Sequence, residues 1–529
     1  MTNADHSRHD TPLMPICDRC HNLLHHHSGA AIDHPSLQSI KDTISESPYK
    51  YNHIYHVIDA ADFPLSFIPN LHRHLVLTPQ RSQNRRAKFL HGTRGVTFII
   101  TRSDLLAPKK EQVDSLMPYL VQVLRDALGA ATRDIRLGNV RCVSSQRGWW
   151  TKEIKEDVWR RGGGGWMVGK VNVGKSKLFE SVFPKGRSED SNRYGKLRKH
   201  TSTGQHIEGS ETHDMGVSIS GDSDEQGRYV HAQSPESVKE SAGETPLLPP
   251  SRHETPFPMM PIVSSLPGTT ASPIRLPFGN GKGELIDLPG LSRGDLDAYV
   301  RKEHKMDIVM RTRVNPEQQV MKPGQSLLLG GLIRITPAHP DIVILAYPFV
   351  PIDAHVTSTE KAIGIQTQQR HSGVDVILEA DVGSKMAFAG SFLLKWDVTK
   401  QHSGPLTSPA AAGLRAERLP YRVLSTDILI EGCGWVELVA QVRKSKLETS
   451  SSSTVMGSND GEPHSDASLS SEQHTDLVPA VEVFSPEGKN IGSRRPLNAW
   501  LFSSEKKVAV NKKNRRPMPS MKGSKKSIR

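Results

Sequence analysis

The sequence predicts an α/β fold on a parallel sheet, followed by a β-rich C-terminal domain, and three observations carry that prediction. IYHVIDA (Ile54 to Ala60) and VTFII (Val96 to Ile100) are short, nearly continuous apolar runs, the kind a parallel sheet buries on both faces. Helical periodicities follow such runs, so strand and helix alternate as in βαβ units. After Leu291 the character changes: ILAYPF, VDVILE, AFAGSFLLKWDV, YRVLSTDILI, GWVELVAQV and AVEVF are β-branched, partly alternating runs between Gly, Pro and Ser turns, which marks Gln319 to Trp500 as mostly β.

Each element has its own signal. Leu116, Leu120, Leu124 and Leu128 recur every fourth residue and stop at Gly129, which predicts an amphipathic helix with a glycine at its C-terminal end. NVRCVS (Asn139 to Ser144) reads as the next strand, and Thr151 as the cap of a helix with Glu153 and Glu156 in its early turns. A helical stretch is expected around Leu296 to Arg311. Two segments, 186–261 and 448–476, are dense in Ser, Gly, Glu, His and Pro; with so little apolar surface to offset ordering entropy, both are expected to be disordered insertions. The α/β domain is therefore assigned to 50–185 and 262–312, the β-rich domain to 313–504, and a basic tail to 505–529.

Composition narrows the class of protein. The chain has 529 residues, of which 36% are hydrophobic and 5% aromatic, so much of it is not core. No run approaches the roughly 18 consecutive apolar residues of a membrane helix, and no integral membrane segment is expected. Four cysteines, Cys17, Cys20, Cys142 and Cys433, are too few for a disulfide framework, which points to a reducing compartment. The first twenty residues lack the apolar core of a secretory signal, and no Arg-rich presequence is visible. Ten Lys/Arg against one acid between Glu505 and Arg529 hold most of the net +12, an arm suited to a polyanion.

The most specific chemical signal is Gly169-Lys170-Val171-Asn172-Val173-Gly174-Lys175-Ser176, preceded by WMV and followed by a run with Leu178, Phe179, Val182 and Phe183. A G-x-x-x-x-G-K-S loop between strand and helix aims backbone N–H groups at phosphates, places Lys175 on the β- and γ-phosphates and puts Ser176 on Mg²⁺. Pro267-Gly268-Thr269-Thr270 and Asp287-Leu288-Pro289-Gly290, the latter after the strand Glu284 to Ile286, supply further phosphate-side elements: Asp287 for Mg²⁺ and the Gly290 N–H for a γ-phosphate. Thr101-Arg102-Ser103-Asp104 follows VTFII, and Asp104 is placed to accept both N1–H and N2–H of guanine. Ser144 and Ser145, in Val143-Ser144-Ser145-Gln146, offer a backbone N–H to guanine O6. An ATPase is disfavoured by Asp104.

The order of these motifs is unusual, because the guanine-reading pair precedes the phosphate loop. Termini that lie close together allow a permuted chain to build the same site. On these motifs, with CDRCHNLLHHH, GWWTKEIKEDVW and EGCGWVELVAQVR, the chain resembles the circularly permuted P-loop GTPases of the YqeH type, and within them the fungal mitochondrial branch. The resemblance implies GTP and GDP binding with GTP hydrolysis, mitochondrial location, and a role in assembly of the small ribosomal subunit through contact with rRNA. It assigns Thr270 to Mg²⁺ and Asn172 to a K⁺ ion against the phosphates. Lys175, Asn172 and Thr270 are then the catalytic set, acting by positioning and charge rather than as general bases. Leu291 stands where many GTPases carry a water-orienting Gln, so slow intrinsic hydrolysis is expected. Arg102 replaces the family's Lys, and its guanidinium is expected to stack flat on a base. Relatives carry two Cys-x-x-Cys pairs in a zinc finger; here, in 1–45, Cys17 and Cys20 make one pair, with His21, His25, His26 and His27 as candidates for the remaining Zn²⁺ ligands. An RNA-binding scaffold with little turnover is the alternative, and nothing in the sequence fixes the oligomeric state.

Overall fold

The structure is a computed structural model, and it describes residues 21–22, 33–75, 92–129, 139–186, 247–261, 263, 270–371, 373, 375–402, 416–444 and 478–502. IYHVIDA lies in β1 (Tyr51–Asp59) and VTFII in β2 (Gly92–Thr101). All of β1 beyond Tyr51 is buried, and Ile58, Val57 and Ile54 join three different apolar clusters, as a strand covered on both faces must. Around them run α1 (Leu37–Ser45), α2 (Leu71–Leu75), α3 (Lys110–Ser115), α4 (Met117–Leu128), β3 (Val140–Cys142), α5 (Thr151–Arg161), β4 (Gly163–Val168), α6 (Lys175–Val182), β5 (Ile274–Phe278) and β6 (Gly283–Asp287).

These strands form a six-stranded sheet in the order β3-β2-β1-β4-β6-β5. Five run parallel, while β5 at the edge runs antiparallel to β6, so the expected parallel sheet is a mixed one. Strand order turns between β1 and β4, one side being filled before β4 and the other after it. In open α/β sheets such a switch point opens a crevice at the carboxyl ends of the strands, where Asp59, Thr101, Gly169 and Asp287 all sit.

The C-terminal region is β-rich, as expected. Its strands are β7 (Gln319–Met321), β8 (Gln325–Leu329), β9 (Ile333–Pro337), β10 (Ile344–Phe349), β11 (Ala354–Ser358), β12 (Met386–Leu393), β13 (Trp396–Asp397), β14 (Tyr421–Ile430), β15 (Gly434–Arg443), β16 (Ala480–Pro486) and β17 (Ile491–Arg494). One sheet runs β13-β14-β15-β10-β7 with β17 against β14, and the other runs β11-β8-β9-β16-β12. Leu327, Ile333, Ile428, Val436 and Val481 fill the core they share. A second cluster joins Ile58, Phe98 and Leu124 of the α/β sheet region to Phe349, Leu429 and Trp435, so the two regions share apolar core.

Several expectations are corrected. The leucine helix begins at Met117 with Pro118 in its first turn, leaving Leu116 half-buried at its N-cap, while Leu120, Leu124 and Leu128 are buried as predicted. Thr151 is the first residue of α5 rather than its cap; the cap is Trp150, in the left-handed conformation. The stretch Leu296 to Arg311 contains two short 3₁₀ turns, Leu296–Tyr299 and Lys302–His304. Its backbone is taken by a bridge, since Arg301 N donates to Ile377 O at 2.9 Å and Glu379 N to Tyr299 O at 3.0 Å. For the same reason VDVILE forms an isolated bridge through Leu378 rather than a strand.

The end of the first insertion is also ordered. Residues 247–261 lie over the β5–β6 edge, held by Glu46, which accepts from Leu247 N and Leu248 N, and by Arg275, which donates to Pro249 O at 2.6 Å. The insertion 448–476, the tail 505–529, the pair Cys17 and Cys20, and Pro267-Gly268-Thr269 lie outside the described residues. Among the described residues no helix is long and apolar enough to cross a membrane.

Candidate functional site

The loop from Gly169 to Gly174 joins β4 to α6 at the switch point, and every carbonyl in its first five residues accepts a side-chain hydrogen bond. Lys175 Nζ donates to Gly169 O at 3.2 Å and to Lys170 O at 2.8 Å. Arg293 donates to Val171 O at 3.3 Å, Arg102 to Asn172 O at 2.5 Å and Thr101 Oγ1 to Val173 O at 2.6 Å. The turn needs left-handed residues at Asn172 (φ 57°) and Gly174 (φ 84°), types that tolerate that conformation. No acceptor among the described residues takes the backbone N–H groups of residues 172–176. Successive unpaired amides at the N-terminus of an eight-residue helix make a concavity for an anion.

The hydroxyl and carboxylate groups expected at Mg²⁺ do meet. Ser176 Oγ donates to Asp287 Oδ2 at 2.8 Å and lies 3.1 Å from Thr270 Oγ1, which is 3.3 Å from the same carboxylate oxygen. Asp287 Oδ1 is buried with no hydrogen-bond partner among the described residues. Burial pushes the Asp287 carboxyl above its ordinary range, against the attraction of Lys175. Two hydroxyls around an under-satisfied carboxylate are the donor set of a hard, oxygen-seeking cation, so these residues fit Mg²⁺. Lys175 is itself buried, and burial lowers its ammonium from 10.5 to about 8 despite Asp287, with Arg293 adding to the fall.

The segment after β6 is zipped to the loop: Val171 N donates to Leu291 O at 2.9 Å and Leu291 N to Gly169 O at 3.2 Å. Gly290 is packed so closely that a Cβ there would lie 2.9 Å from Val171 N and Cα. Leu291 itself is buried in an apolar cluster with Val168 and Ile286.

On the other side of β1, the loops expected to read a base are tied together by Ser103 N donating to Val143 O at 3.1 Å and Val143 N to Ile100 O at 2.8 Å. Asp104 lies in a 3₁₀ turn at the end of β2, 7% exposed. That is two strand spacings from β4, about 10 Å. Ser144 N is committed to Trp149 O, and Ser145 Oγ pairs with Ser181 Oγ at 3.0 Å. The amide expected to meet guanine O6 therefore cannot be that of Ser144; Ser145 N has no backbone acceptor among the described residues.

Sequence reasoning missed the groups that hold this loop. Arg102 is not presented to stack on a base: it is ion-paired with Asp59 and donates to Asn172 O and to Met310 O. Arg293 is ion-paired with Asp59 and Asp62. Two buried acids close together in IDAADF were the available signal. Among the described residues no group of three or more His, Cys, Asp and Glu is arranged to hold a metal ion. No protein-family model matches the chain, and no curated protein matches it either.

Proposed function

We propose that the chain binds GTP and GDP at the 169–176 loop and hydrolyses GTP slowly, as a circularly permuted P-loop GTPase. The observation that carries this reading is the loop whose carbonyls are held by side chains and whose amides have no acceptor among the described residues, beside the Ser176, Thr270 and Asp287 cluster. The backbone of 172–176 cradles the phosphates and Lys175 carries their charge. Ser176, Thr270 and Asp287 hold Mg²⁺, which neutralises charge on the β- and γ-phosphate oxygens when bound. Gly290 sits where a γ-phosphate is sensed, and Asp104 selects guanine. Strand order supports the permutation: cutting before β4 and rejoining the ends puts the phosphate loop first and the base-reading loops last, as in an ordinary small GTPase.

On the resemblance alone the reading extends to K⁺ at Asn172, Zn²⁺ at Cys17 and Cys20, contact with rRNA, assembly of the small ribosomal subunit and a mitochondrial location. The test is binding of fluorescent GTP, GDP and ATP with Mg²⁺ in K⁺ buffer, beside Lys175→Ala. Guanine-selective binding abolished in the variant is expected; no guanine binding by the wild-type protein overturns the proposal. A second reading, an RNA-binding scaffold with little turnover, is favoured by one observation: the Leu291 side chain is buried, which leaves no polar group at that position to orient a water. Bound GTP that persists unhydrolysed with RNA present would favour the scaffold.

A further inference from the structure

The tip of the hairpin between β14 and β15 reaches the underside of the phosphate-binding loop. Lys170, the loop's second residue, does not turn toward the phosphates: its Nζ donates to Glu431 Oε1 at 2.8 Å and to Leu65 O at 2.9 Å. Next along the tip, Gly432 N donates to Asp62 Oδ2 at 2.9 Å, the same oxygen that pairs with Arg293, whose other amino group holds Val171 O. The neighbouring turn touches the segment that follows β6, since a Cβ at Gly294 would meet Asn490 Oδ1 at 2.1 Å and Glu431 Oε2 at 2.7 Å. Glu431 N in turn donates to Asn490 O at 2.9 Å. Lys170 is thus fixed directly from one end of the β-rich region through its side chain, and Val171 indirectly, through Arg293 and the Asp62 oxygen that Gly432 N also holds.

We propose that Glu431 and Arg293 are positioning residues for the phosphate site, and that the hairpin tip reports the state of the β-rich region to the 169–176 loop. This rests on the nucleotide reading above. Moving the tip withdraws the carboxylate from Lys170 and the Gly432 N–H from Asp62. Arg293 is then shared differently between Asp59, Asp62 and Val171 O, and its hold on the loop slackens. A partner that displaces the far side of the β-rich sheets would thereby change nucleotide affinity without touching the nucleotide. Reciprocally, bound phosphate stiffens the tip, because a coupling free energy acts in both directions.

The experiment is a cycle of wild type, Lys170→Gln, Glu431→Gln and the double variant, all as the full chain. It is read by amide hydrogen exchange without nucleotide and by affinity for GTP with Mg²⁺. Each single variant is expected to speed exchange across 169–177 by roughly fivefold, in line with a partly buried ion pair, and to weaken GTP to a similar degree. The double variant is expected to be no worse than either single one, since both remove one interaction. Exchange in 327–335, remote from the tip, stays unchanged, which separates positioning from general loosening. Equal exchange across 169–177 in all four proteins, or additive losses, would overturn the proposal. Wild-type protein that binds no GTP would sink the nucleotide reading alone, and the exchange cycle would then decide the coupling by itself.

Discussion

Lys175 gives the site a pH dependence whose sign follows from its burial. In the free protein the ammonium is lowered from 10.5 to about 8; on the proposed reading, a bound phosphate would hold it charged. Binding above pH 8 must therefore return a proton to Lys175, and affinity falls as pH rises through that value. The fraction charged drops from about nine-tenths at pH 7 to about a quarter at pH 8.5, which weakens binding about fourfold, or ~0.8 kcal/mol. Fluorescent GTP titrations at pH 7 and pH 8.5 read the affinity. Calorimetry in two buffers of different ionisation enthalpy reads the proton, with about three-quarters of one taken up per nucleotide at pH 8.5 and about a tenth at pH 7. Affinity that is flat across this window, or proton release on binding, would refute the argument. The same burial tilts stability: between pH 8 and 10.5 the unfolded chain binds the extra proton, so the nucleotide-free protein gains stability as pH rises through that window.

Three further outcomes follow from packing and charge. Arg275→Ala strands the buried Glu284 carboxylate, with which Arg275 makes bonds of 2.9 and 2.8 Å, and is expected to cost about 3–5 kcal/mol in urea unfolding; adding Glu284→Gln should recover much of it. Gly290→Ala forces a Cβ onto the Val171 backbone and is expected to cost about 1–3 kcal/mol and to weaken GTP, read by Tm and by titration; an unchanged affinity would detach the 287–291 segment from the site. Glu437 is buried, and burial together with Asp427 pushes its carboxyl up to about 8. Its contribution to stability is complete below the unfolded value near 4.5 and is lost as pH rises toward 8, so Glu437→Gln should raise Tm at pH 8 and barely move it at pH 5.

What the sequence disclosed is what local pattern encodes. Apolar runs buried on both faces, as in β1 and β2, and a loop whose Gly and Lys sit at fixed offsets are legible because neighbours along the chain carry the signal. YRVLSTDILI falls on β14 residue for residue. Expectations failed where distant partners decide. Val300 and Leu378 form a bridge across 78 positions, which breaks the helix expected at Leu296 to Arg311. Residues 247–261 follow a Ser- and Gly-rich stretch and read as part of it, yet Leu248 is buried in a core cluster and Glu46 and Arg275 hold the segment from outside. Arg102 read as a base-stacking group because nothing near it in sequence reveals Asp59, 43 residues earlier. Arg293 carries no motif at all; only the fold brings it to Val171 O and the two acids.

The central claim is that a guanine nucleotide lies across the strand ends with its base on Asp104, and Asp104→Asn tests it most directly. The carboxylate accepts from guanine N1–H and N2–H, whereas an asparagine amide presents one acceptor and one donor, the complement of xanthine with its carbonyl at C2. Competition titrations of GTP against xanthosine triphosphate are predicted to favour GTP in the wild-type protein and to reverse that preference in the variant, with Lys175→Ala binding neither. A variant that keeps its full preference for GTP would contradict the account.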